Sequence, residues 1–103
     1  MSVLLEFAMF PTDKGDSVSQ YVSQIIDSIR NAGYPYKLTA MGTIVETDTM
    51  AEALAVVQKS HDVLAPQANR IYTTLTMDIQ KNKDNRLYSK IESIENKIGK
   101  VEK

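Results

Sequence analysis

The stretch Met41–Asp48, MGTIVETD, sets a threonine and a glutamate on a short apolar strand just ahead of a helix start. A carboxylate, hydroxyls and flexible or aromatic apolar walls brought together would hold a small amphipathic cation. The carboxylate supplies the counter-charge and the walls enclose a ring. Glu46 has two readings on the residues alone, a solvent-facing strand end or one wall of such a pocket, and both stay open. Asp48 reads first as a helix cap and Glu52 as part of a capping box, because their oxygens would satisfy free amides of a first turn. His61, the one histidine, falls on the same apolar stripe as Leu54 and Val57, where a hydrogen-bonded structural or interface role is expected. It is left out of the site.

The remaining inventory narrows the chemistry. Absence of cysteine excludes disulfides, thiolate metal sites and cysteine nucleophiles. With one histidine, no Gly-rich phosphate loop and no GKS motif, nucleophilic catalysis, phosphoryl transfer and multi-histidine metal binding lack their usual parts. No enzymatic activity, metal or cofactor is expected. A net charge of −1 leaves no positive surplus to neutralise phosphates, which argues against nucleic acid as a partner. The opening MSVLLEFAMF has no basic leader and carries Glu6 within its apolar run, so it reads as a strand, not a signal peptide. No later run approaches the roughly 20 apolar residues of a membrane span. A cytoplasmic protein is expected.

Those residues need elements to position them. Alternation puts Val3, Leu5, Phe7 and Met9 on one strand face and Leu4, Glu6, Ala8 and Phe10 on the other, both apolar. Ser17 and Gln20 have capping-box spacing ahead of a helix bearing Val18, Tyr21, Val22, Ile25, Ile26 and Ile29, which Gly33 stops. Two short strands, roughly Tyr36 to Met41 and Thr43 to Thr47, meet at Gly42. A second helix, capped at Asp48 or Thr49, carries Ala53, Leu54, Val57, His61 and Leu64 and ends near Pro66. Arg70 to Gln80 alternates as a long strand. Leu87, Ile91, Ile94, Ile98 and Val101 then form the seam of a C-terminal helix at about 85–101.

The order βαββαβ plus a helix predicts one ferredoxin-like α+β domain over residues 1–103, a four-stranded antiparallel sheet with two helices on one face. The first and third strands are expected to lie together, central and parallel, so that Phe10 and Glu46 open at one sheet edge beside both helix starts. Because the compact unit uses its helical face internally, the C-terminal seam is expected to strap the sheet or pack on another subunit, giving a homo-oligomer.

Three stretches, LEFAMFPTDKGDSVSQYV, AGYPYKLTAMGTIVET and RIYTTLTMDI, resemble the thiamine-binding protein family of small ferredoxin-like proteins. MGT followed by a nearby acidic position is the most specific piece, and the SVSQYV helix start is the second. The resemblance implies a homodimer or homotetramer formed through sheet surfaces, binding thiamine or its hydroxymethylpyrimidine portion near subunit contacts. Carried onto this chain, it implies Glu46, Thr43 and Ser17 as ligand contacts, with Phe7 and Met41 as walls. Two positions depart from the family pattern: Thr47 stands where a glycine is frequent, and QKNKDN, Gln80 to Asn85, follows the final strand where an arginine is frequent. Three functional readings remain in view: a thiamine or pyrimidine binding protein in carriage, salvage or sensing, a small ferredoxin-like enzyme using His61, and a structural or regulatory assembly module.

Overall fold

Of the two apolar faces of the first strand, one takes the first two helices. A computed structural model describes residues 1–103. It contains β1 (Ser2–Pro11), α1 (Ser19–Ala32), β2 (Tyr36–Leu38), β3 (Thr43–Thr47), α2 (Met50–Leu64), β4 (Ile71–Gln80) and α3 (Arg86–Ile98), with a 3-10 turn at Ala65–Gln67. Val3, Leu5, Phe7 and Met9 are buried with Val45 against Ile25 and Ile29 of α1 and Ala53, Val56 and Leu64 of α2. The sheet order is β2-β3-β1-β4 and every neighbouring pair is antiparallel, a ferredoxin-like α+β fold.

This corrects the parallel pairing expected of β1 and β3. The helical crossover returns the chain into β2 running in the same direction as β1, and the tight hairpin at Gly42 then reverses the chain into β3 between them. Thr43 consequently lies opposite Phe7, whereas Glu46 lies opposite Leu4. Phe10 stands six residues further along β1, about 20 Å away at strand rise. Phe10 and Glu46 mark opposite ends of the sheet, and α1 and α2 likewise start at opposite ends.

Helix boundaries follow local chemistry with two exceptions. Thr49 caps α2 by accepting from the Glu52 amide at 3.1 Å, while its hydroxyl donates to the Glu52 carboxylate at 3.0 Å. Gly33 closes α1 at φ 85°, in the left-handed region that glycine adopts without strain. The expected Ser17–Gln20 capping box does not form; Val18 is the N-cap of α1 and offers no side-chain acceptor. On α2 the buried residues are Ala53, Val56, Ser60 and Leu64, which leaves Leu54 and His61 exposed. The expected stripe was rotated, and His61 faces outward beside Asp62.

The third helix depends on a long-range cap. Asn85 precedes α3 at φ 53° and makes no side-chain cap, since an N-cap acceptor normally requires extended backbone. Glu46 takes its place from β3. Its carboxylate accepts from the Arg86 amide at 2.8 Å, the Leu87 amide at 3.0 Å and the Ser2 hydroxyl at 2.5 Å. Arg86, 2% exposed, completes the network by donating from Nε to Ser2 Oγ, from Nη2 to the Ser2 and Asp78 carbonyls, and from Nη1 to the Asp78 carboxylate at 2.9 Å. This draws α3 onto the sheet face opposite α1 and α2, with Lys37 stacked on the Tyr88 ring. No buried side-chain polar atom is left without a partner. Arg86 follows the Gln80–Asn85 segment directly.

Burial alone would push the Glu46 carboxyl up. The Ser2, Arg86 and Leu87 hydrogen bonds, with the Arg86 charge, outweigh it and hold the group below its usual value. A carboxyl depressed on folding contributes stability that is complete above its unfolded value near 4.5 and is lost as pH falls through the folded value. Glu46→Gln is expected to lower unfolding free energy by about 2–4 kcal/mol and to flatten the loss of stability below pH 4.5. Urea melts across acidic pH measure both, and an unchanged midpoint in the variant would contradict the cap.

Candidate functional site

Two connections close over the carboxyl half of β1. The first is the Pro11–Val18 loop, whose entrance is pinned where the Thr12 amide donates to the Arg70 carbonyl and the Asn69 amide to the Asp13 carboxylate, both at 2.9 Å. The Asn69 bond leads the effects that hold the Asp13 carboxyl below its usual range. The second is the β2–β3 hairpin. Thr39 folds it by donating to the Gly42 carbonyl at 2.8 Å while its oxygen accepts from the Met41 and Gly42 amides at 3.2 Å. A Cβ on Gly42 would come within 2.9 Å of the Phe7 carbonyl, so only glycine lets the hairpin sit this close to β1.

Between the loop, the hairpin and the start of α1 lies a cavity of about 510 Å³, within the size range of small-molecule sites. Its floor is core: Phe7, Met9 and Ile25. Its rim is Leu38 and Met41 on the hairpin and Asp16 and Val18 on the loop. Thr12, Thr39 and Thr43 add hydroxyl-bearing side chains. Asp16 is the only ionisable residue of the wall. Such a space can enclose a flat apolar ring and balance one positive charge on it.

Three of the five residues singled out in the sequence meet here: Phe7, Thr43 and Met41. Met41 is 87% exposed at the hairpin tip, whereas Thr43 and Phe7 are buried. Ser17 is exposed between the lining residues Asp16 and Val18 but is not itself in the wall. Glu46 is elsewhere. It is 8% exposed, borders a separate hollow of about 360 Å³ with Asp48 and Asp84, and has its oxygens engaged by three protein donors. The carboxylate that the cavity has is Asp16. No spacing or motif in the sequence singles Asp16 out; the closure of the loop on the hairpin brings it to the cavity. His61 lines no part of this cavity.

The model of the family described as thiamine-binding protein matches residues 5–95. A UPF0045 protein of Mycobacterium bovis is 33% identical over 95 residues, spanning 92% of this chain and 93% of its own. One from Methanothermobacter thermautotrophicus is 32% identical over 83 residues, spanning 80% and 84%. Among solved structures, a hypothetical protein of Methanocaldococcus jannaschii superposes with TM-score 0.81 at 30% identity, covering 90% of this chain and 95% of its own. A Thermotoga maritima protein, provisionally assigned to thiamine biosynthesis or salvage, gives TM-score 0.78 at 18% identity over 91% and 99%. At that identity the likeness speaks for the fold.

Gly42→Ala is expected to push the hairpin off β1, destabilise the fold by about 1–3 kcal/mol and reshape the cavity wall at Met41 and Thr43. Thermal unfolding and a crystal structure of the variant check this. An unshifted hairpin with wild-type stability would show that the close approach is not a constraint.

Proposed function

The chain belongs to the thiamine-binding protein family, and from that premise we propose that it is a non-catalytic binding protein for thiamine or its hydroxymethylpyrimidine portion, acting in carriage, salvage or sensing. The observation that carries this reading is the cavity itself: apolar walls, hydroxyls and a single carboxylate, with no nucleophile–base pair and no cluster of metal-ligating side chains. Phe7 and Met41 enclose the ring, Thr43 offers its hydroxyl to a ring nitrogen or amine, and Asp16 balances the cation, with Ser17 beside it at the rim. Glu46 holds α3 in place and does not touch the ligand.

Titration calorimetry tests this. Thiamine is expected to bind on the order of micromolar, with the hydroxymethylpyrimidine half competing, and Thr43→Val to weaken binding several-fold, about one hydrogen bond. A folded protein that gives no heat with thiamine would contradict the proposal.

The chain is proposed to work as a homodimer or homotetramer. Beyond the anchored first turn, the α3 seam runs out of cover: Ile94 is 49% and Ile98 73% exposed. The sheet face it leaves bare carries the Phe10–Tyr72 ring pair. A second copy would cover both at once. Light scattering is expected to give more than one subunit for the native chain and a smaller mass for Ile94→Glu with Ile98→Glu; a native monomer would contradict it.

A further inference from the structure

Resting on the thiamine reading of the cavity, we propose that the site takes the unphosphorylated form of its organic cation and turns away the phosphate esters, with Asp16 as the selecting residue. Size does not make the selection, because about 510 Å³ of cavity would also admit part of an ester's tail. Charge does. No Lys, Arg or His lines the wall, and its one ionisable group is an acid. Lys14 belongs to the same loop but is exposed and outside the wall.

A phosphate needs several convergent donors or cations, and the nearest supply here is the first turn of α1. That helix start has neither a side-chain cap nor an acidic residue of its own, so its dipole presents roughly half a positive charge. Asp16, two residues ahead of the Val18 N-cap, sets a full negative charge against it. A phosphate ester adds about −1.5 to −2 charges to its parent alcohol near neutral pH, and these would meet Asp16 at the rim. An alcohol bearing one cationic ring gains from the same carboxylate. The bound species is therefore the alcohol that a phosphotransferase would consume or a phosphatase would release.

Titrating the wild type and Asp16→Lys with thiamine, thiamine monophosphate and thiamine diphosphate at fixed ionic strength tests the selection. Asp16 lies exposed in a loop, so the variant is expected to fold, which circular dichroism checks. The wild type is expected to bind thiamine about tenfold or more tightly than the monophosphate, and Asp16→Lys to shift that ratio toward the esters by about tenfold or more. A wild type that binds thiamine and an ester equally well overturns the selection while leaving the thiamine site standing. An unchanged ratio in Asp16→Lys overturns the role of Asp16. No binding of any of the three removes the thiamine reading and the selection with it.

Discussion

The buried Glu46 carboxylate is the constraint on which the rest of the molecule depends. A charge taken out of water is tolerated only when its oxygens are bonded and a counter-charge is near, and here both conditions are met by parts distant in sequence. Ser2 begins β1, Arg86 and Leu87 begin α3, and Asp78 comes from β4. One side chain on β3 therefore fixes the start of a helix that its own N-cap residue does not hold. Removing the Glu46 carboxylate takes the acceptor from the Ser2 hydroxyl and from the Arg86 and Leu87 amides at once, so these bonds act as a unit.

With that end of the sheet fixed, the proposed binding cavity lies at the other end. At the cavity end the backbone is held by turn chemistry, Thr39 in the hairpin and Asp13 in the loop, rather than by buried charge. Phe7, Met9 and Ile25 belong both to the hydrophobic core and to the cavity floor. Substitutions there are expected to change folding together with the proposed binding. Asp16 and Met41 stand at the rim, where exposure separates the two effects, which makes them the informative positions for ligand chemistry.

What could be read from the sequence was whatever depends on neighbours along the chain. Alternation found β1 and β4, Gly42 divided β2 from β3, the Thr49–Glu52 pair found the start of α2, and Gly33 found the end of α1. The fold followed from that order, and the family from LEFAMFPTDKGDSVSQYV, AGYPYKLTAMGTIVET and RIYTTLTMDI. What could not be read depends on partners far away. Glu46 looked free of structural work because its donors lie 40 and 41 residues ahead in the chain and 44 behind. The antiparallel pairing of β3 with β1 sets Glu46 and Phe10 at opposite ends of the sheet, a direction that alternation within each strand does not reveal. The stripe of α2 was offset because Leu54 and His61 keep helical spacing with Val57, and spacing alone does not say which side of the stripe faces the core. Asp16 carried no pattern at all; only the closure of loop on hairpin gives it a site.

The division of labour between the two ends is best tested by amide chemical shifts during a thiamine titration. Shifts are expected to concentrate at Asp16, Val18 and Val22 and along the Leu38–Thr43 hairpin, while Ser2, Glu46, Arg86 and Leu87 stay where they are. Shifts centred on Glu46 and the start of α3, with a silent hairpin, would place the ligand at the wrong end of the sheet and contradict the division.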